Sequence, residues 1–393
     1  MLEGLRVVEV GVWVAGPSAG GVLADWGADV IKVEPPAGDP MRAMFAVTGG
    51  GRSDLPSPPF DLDNRGKRSV VLDLTGDDPH AQEAMQRLLA TADVFLTNLR
   101  PEAVEKLGLG PDALLAAHPR LVYASVTGYG RSGPDAGRAG YDVGGFWARS
   151  GIASLAVPQD QPQPHFRGGV GDHVTGMTAA AGILAALLDR ERTGRGRVVD
   201  VSLLRTGIWC LGWDLGIQLR FGKTGATVPR TEIPNPMINV YRAGDERWFW
   251  LLGVEADRMW PKLLPAIDRT EWAEDERFAT ARDRRYHAAE LIALLDELFA
   301  TRTREEWTKR FDEHDVWWAP VNTPEDVVVD PQAVAAGAFV DVPGSDAAPA
   351  HRAAATPVSF PSPDDEDAAR PRGPVPALGE HTDEVLHELG LAD

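Results

Sequence analysis

The chain has 393 residues, 44% of them hydrophobic and 25% charged, which is ordinary for a globular protein with ample core and gives two or three domains. Its net charge of −19, from 39 basic and 58 acidic residues, argues against general nucleic-acid binding. The single Cys210 excludes an internal disulfide and a cysteine-based zinc site. No uninterrupted apolar run is long enough to span a bilayer, so no membrane is expected. MLEGLRVVEV enters a strand pattern at once, which predicts no leader and a cytoplasmic address.

In chain order, Leu5 to Val10 reads as a strand, Gly16 to Trp26 as a small-residue helix and Val30 to Glu34 as a second strand. This βαβ opening predicts a parallel α/β architecture. The pattern continues with a strand from Ser69 to Leu74, a helix from Pro79 to Ala90 and a short strand from Val94 to Thr97. A helix starting at Pro101 and a strand from Leu121 to Val126 follow. Asn98 and Tyr141 then fall beyond the carboxyl ends of strands, where such sheets bind ligands. A turn residue and a half-buried aromatic are the plainer readings of the two.

Two motifs occur by spelling. Gly128, Gly130 and Gly133 match the dinucleotide fingerprint, but the polar segment after them does not open a helix, so the match is set aside. Gly16-Pro17-Ser18-Ala19-Gly20 spells a nucleophile elbow between a strand and a helix. That elbow normally follows several strands, and almost no chain precedes Ser18. A tight turn packing helix on sheet is the preferred reading.

The stretch from Gly168 to Leu204 organises the rest. A glycine-rich approach ends at Asp172. The run from Val174 to Leu188 is too apolar on all sides for a surface helix, so it reads as buried, with Arg190, Arg192 and Gly194 as its exit and a strand from Val198 to Leu204 after it. Asp172 thus reads as the N-cap of a buried helix. A second reading makes it a carboxylate nucleophile, kept ionised by the positive helix end. Local pattern does not choose between them.

After Leu204 a helix from Thr206 to Phe221 carries Trp209 and Trp213. Residues from about 226 to 325 then read as a smaller α+β domain, with strands near Ile238 to Arg242 and Trp248 to Gly253. Ser345 to Pro376 lacks any period and reads as a long surface connection. Thr382 is expected to cap a last helix.

Taken as an ordered set, LEGLRVVEV…AGP, LADWGADVIKVE, DLDNRGKRSVVLDL, VFLTNLRPEAVEKLGLG, ASVTGYGRSGP, GVGDHVTGM…GILAALLDRERTGRGRVVDVSLL and PALGEHTDEVLHELGL resemble the class III coenzyme A transferases, the CaiB/BaiF family. That group also holds α-methylacyl-CoA racemase. The resemblance implies a Rossmann-like large domain with a parallel sheet over residues 1–204, completed by about 326–393. It further implies a linker helix over 205–225, a small α+β domain over 226–325 and an interlocked homodimer. It implies no tightly bound cofactor: coenzyme A, as acyl-CoA, is a substrate, and a carboxylic acid is the acceptor.

In the family, the aspartate matching Asp172 attacks an acyl-CoA thioester to form an anhydride and then an aspartyl-CoA thioester. The resemblance places CoA contacts at Ala15, Lys67, Asn98, Arg100 and Arg138, with the backbone of Gly168, Gly169 or Gly171 as oxyanion donors. Val14 stands where the formyl enzymes have a glutamine. Tyr141 stands where the racemases have a catalytic histidine, and phenol replaces imidazole poorly as an acid–base group. A CoA-transferase is therefore expected ahead of a racemase-like isomerase or a non-catalytic CoA-binding protein.

Overall fold

Six strands run β1 Arg6–Val10, β2 Asp29–Glu34, β3 Arg68–Val71, β4 Val94–Thr97, β5 Val122–Thr127 and β6 Val198–Ser202. Their near-continuous apolar character is what a sheet covered on both faces demands. In the computed structural model, which describes residues 1–44, 56–76, 78–346, 348–361 and 371–391, all six pair in parallel. The order is β3-β2-β1-β4-β5-β6, with Val8 in register with Ile31 on one side and Phe95 on the other. The connection direction reverses between β1 and β4, so a crevice opens beyond their carboxyl ends.

One face of the sheet packs Val7, Leu96 and Ala124 against Leu23 and Ile183; the other packs Val8, Ile31 and Phe95 against Met85 and Leu88. The first helix, Ala15–Asp25, is buried along its whole length because its small residues let the long helix Val170–Thr193 lie against it. Gly176 makes that approach possible. A side chain there would strike the Ser18 hydroxyl and come within 3.0 Å of the Ala19 nitrogen.

The long helix differs from its sequence reading. Thr175, Ala179, Ile183 and Leu187 are buried, but Val174, Thr178, Ala181, Ala185 and Leu188 form an exposed stripe, Leu188 being 76% exposed. By length and composition it is also apolar enough to cross a membrane, although its inner face belongs to the sheet core. The β6 strand ends earlier than expected, at Ser202, whose hydroxyl accepts from the Arg205 N–H and starts the helix Leu203–Cys210. A second helix, Gly212–Phe221, follows, so the single linker helix expected over 205–225 is two helices meeting at Leu211.

The C-terminal segment returns to this unit. Phe339–Val342 and His351–Ala354 form an antiparallel pair, the second strand falling inside the stretch from Ser345 to Pro376 expected to be a connection. The last helix, Thr382–Glu388, is preceded by His381 as N-cap, while the Thr382 hydroxyl accepts from the Val71 N–H at the β3 edge. Together these residues form one compact unit, Met1–Ser154, Pro164–Thr224 and Ala335–Asp393. The other, Leu155–Gln163 and Gly225–Val334, has a three-stranded antiparallel sheet (Ile238–Arg242, Trp248–Leu252, Trp318–Pro320) around Phe249, Phe299, Trp307 and Phe311.

Four fully buried charges lock the β1 end of the crevice. The Lys32 ammonium lies 2.9 Å from both Glu9 and Asp39, and Lys67 donates to Glu9 at 2.7 Å, to the Pro17 carbonyl at 2.8 Å and to Asn64 at 2.9 Å. Burial alone would raise the Glu9 carboxyl, yet the two lysines outweigh it and hold it below its usual range. Such a set is stable only while complete. Lys67→Met is expected to strand the Glu9 charge and cost about 3–5 kcal/mol in urea unfolding.

Candidate active site

Beyond β1, β4 and β5 lies a pocket of about 330 Å³. Its wall includes Val14, Ala15, Asn98, Arg100, Arg138, Tyr141 and Asp172, residues drawn from positions 14 to 172 of the chain. Lys67 and glycines 168, 169 and 171 are not on it.

Each wall residue is held by a local device. Asn98 follows β4 and turns its amide onto Val12: its oxygen accepts the Val12 N–H at 3.0 Å and its nitrogen donates to the Val12 carbonyl at 2.6 Å. Its polar atoms therefore brace the β1 loop. Trp13 has φ 66° and Tyr141 φ 46°, left-handed conformations that are uncommon for bulky residues and cluster at functional sites. Asp39 accepts the Trp13 N–H at 3.0 Å, which ties that strained residue to the buried charges. The Trp13 and Tyr141 rings meet edge to face with centroids 6.3 Å apart. Tyr141 also begins a π-helical turn, Tyr141–Ala148, which the sequence pattern did not disclose.

Asp172 is in the first turn of its helix but is not the N-cap; that place belongs to Gly169, with φ 90°. Among the described residues its carboxylate has no hydrogen-bond partner. Burial, then the neighbouring Asp142 charge, push its carboxyl up to about 7; Asp63 adds to the rise and His173 opposes it. Against the expectation that the positive helix end keeps Asp172 ionised, burial and two neighbouring carboxylates act in the opposite direction.

The glycines expected as oxyanion donors stand off the pocket wall. Gly171 carries no side chain because one would collide with Phe146 and Asp142. Neither Asp142 oxygen has a hydrogen-bond partner among the described residues, and burial raises its carboxyl. Gly168 is exposed, with open space around its α-carbon.

Of the three basic residues that the resemblance places at CoA, Lys67 is committed elsewhere, as are other arginines of this unit. Lys67 is saturated by three oxygens within the buried set, so it is no phosphate contact. Arg65 pairs with Asp25, Arg42 with Glu34, and Arg68 with Asp29 and Glu388. Two arginines remain at the pocket. Arg100 is exposed and has no ion pair among the described residues, and Arg138 is exposed with one contact to Asp135 at 3.2 Å. Ser18 is buried and donates to the Ala15 carbonyl, so it offers no nucleophile. Trp209 and Trp213 are 85% and 84% exposed and do not line this pocket. The sequence reading passed over Trp13, Asp63 and Asp142; a histidine-free GYD at a loop end was the one available signal for Asp142.

A doubly wound parallel sheet with a carboxylate pocket at its switch point and two exposed arginines on the pocket wall defines an enzyme fold suited to a phosphate-bearing substrate. The comparisons with known proteins sharpen that class. The chain belongs to CoA-transferase family III, whose sequence profile matches residues 2–382. It is 32% identical to the (R)-2-hydroxy-4-methylpentanoate CoA-transferase of Clostridioides difficile, over 99% of this chain and 96% of that one. It is 33% identical to the cinnamoyl-CoA:phenyllactate CoA-transferase of Clostridium sporogenes, over 100% and 94%. Its fold matches the crystal structure of a CaiB/BaiF family protein from Brucella suis with a TM-score of 0.85, at 32% identity over 98% of each chain.

The raised Asp172 carboxyl has a consequence for stability. Between about pH 4 and 7 the folded state holds a proton there that the unfolded state has lost, so folding weakens as pH rises through this window. Asp172→Asn is expected to melt above the wild type by a margin that widens from pH 4 to 7 and then levels, as read by differential scanning calorimetry.

Proposed function

We propose that the protein is an acyl-CoA:carboxylate CoA-transferase with Asp172 as its nucleophile. The observation that carries this reading is a desolvated, unpartnered carboxylate in a pocket whose wall also bears Arg100 and Arg138. An Asp172 oxygen attacks the thioester carbonyl, the carbon–sulfur bond breaks, and CoA thiolate leaves a mixed anhydride. The thiolate then attacks the aspartyl carbonyl and releases the donor carboxylate, leaving an aspartyl-CoA thioester. An acceptor carboxylate reverses both steps and restores Asp172.

Arg100 and Arg138 are assigned to the phosphates of CoA, since guanidinium matches phosphate in charge and fork geometry. Ala15 and Val14 form the floor, Tyr141 the aromatic side, and Asn98 acts by holding the β1 loop. Two named relatives act on 2-hydroxy acids, which makes these the first acceptors to screen. A homodimer is part of the proposal. The exposed stripe of the long helix, together with a groove of about 880 Å³ lined by Trp209, Leu215 and Leu219, is a surface that a second copy would cover.

Racemase chemistry has less support, because Tyr141 replaces the imidazole and His173 is turned onto Asp63. Asp172→Ala is expected to lose at least about a thousandfold in kcat, given that a covalent nucleophile is removed. Arg100→Ala is expected to raise KM for the thioester about tenfold, the loss of one charge-assisted contact, with kcat little changed. An active Asp172→Ala chain, or α-hydrogen exchange in deuterated water without an acceptor acid, refutes the reading.

A further inference from the structure

His173 follows the nucleophile in sequence, but its ring meets another element and does not line the Asp172 pocket. Its Nε2 lies 3.0 Å from the Asp63 carboxylate, on the helix Pro58–Asn64. Its Nδ1 lies against the Gly169 turn, whose carbonyl accepts the His173 backbone N–H at 2.9 Å. The carboxylate on one side and the turn on the other both favour the protonated ring. Burial works against the charge, but the Asp63 contact outweighs it and raises the imidazole above its ordinary range. The Asp63 side chain is only 4% exposed, and its second oxygen has no hydrogen-bond partner. Burial pushes the Asp63 carboxyl up, and the His173 contact is what opposes that rise.

The charges facing Asp172 come from three elements. Asp142 approaches from the π-helical turn, Asp63 from the helix Pro58–Asn64, and His173 from its own helix. Asp63 is faced in turn by Lys67 and Glu9, which neutralise each other in the buried set. Arg100 and Arg138 share the pocket wall but do not shift Asp172. One cation therefore stands against two carboxylates around a desolvated nucleophile.

We propose that His173 is a positioning residue acting through Asp172: fixed as a cation between Asp63 and the Gly169 turn, it keeps the adjoining carboxylate ionised for attack on the thioester. This rests on the reading of Asp172 as nucleophile. It adds a role for a side chain that does not line the Asp172 pocket.

The test is the pH profile of kcat/KM for CoA transfer from pH 5.5 to 9 in His173→Gln and His173→Lys. Glutamine keeps a donor for Asp63 but no charge; lysine keeps the charge. For glutamine the acid limb is expected to move up by about one pH unit, the usual effect of losing one adjacent charge. Activity then falls about tenfold at pH 6.5 and recovers to within about twofold of wild type at pH 9, with KM unchanged. The lysine chain is expected to keep the wild-type limb. An unmoved limb in the glutamine chain, or an equal loss at every pH, overturns the proposal.

Nitrogen-15 spectra of the wild-type histidines supply a second readout that needs no variant activity. At pH 7.5 both His173 ring nitrogens are expected to be protonated, the resonance being assigned by its loss in the lysine chain. A neutral tautomer overturns the proposal. If the wild type transfers no CoA, the nucleophile assignment fails by itself, and the spectra still report the charge on His173.

Discussion

Charge neutralisation around β1 is the constraint on which this structure depends. Around β1, β2 and the first helix the buried charges pair off: Glu9 with Lys32 and Lys67, Asp39 with Lys32, Glu34 with Arg42, Asp25 with Arg65. Among the described residues Asp172 has no ion pair, nor has its neighbour Asp142, whose charge raises the cost of ionising Asp172. Desolvating a carboxylate without a partner is costly, so its isolation is a built property of the pocket rather than a by-product of packing.

The paired set gives the pocket its shape. Asp39 holds the Trp13 N–H, Asn98 holds both polar atoms of Val12, and Lys67 ties the Pro17 carbonyl to Glu9. The loop from Gly11 to Val14 is therefore pinned from β2, β4 and the segment before β3. A left-handed tryptophan survives because its surroundings over-determine it. Rigidity of this kind serves acyl transfer, where reacting atoms must meet without reorganising their surroundings.

Much of the sheet was legible in the sequence, because parallel strands buried on both faces read as short apolar runs and the helices between them carry capping signals. The strand Val94–Thr97 and the helix Pro79–Ala90 fall at the positions their patterns indicate. Asp172 and the pocket wall emerged from glycine spacing and from resemblance to a family. What escaped the reading depends on contacts far apart in the chain. The fate of Lys67 is settled by Glu9, 58 residues away, and that of His173 by Asp63, 110 residues away. No local pattern separates a phosphate-binding lysine from a buried strut. The apolar run from Val174 to Leu188 misled for another reason: composition records hydrophobicity, not what covers it, and one face of that helix stays open within this chain.

Chemical capture at residue 172 probes the account most directly. The protein is mixed with an acyl-CoA, quenched with hydroxylamine, digested and read by mass spectrometry. An activated aspartyl carbonyl predicts a hydroxamate on the peptide containing Asp172, formed only when the thioester is present. Steady CoA transfer with that peptide unmodified, or with the label on another side chain, contradicts the central claim.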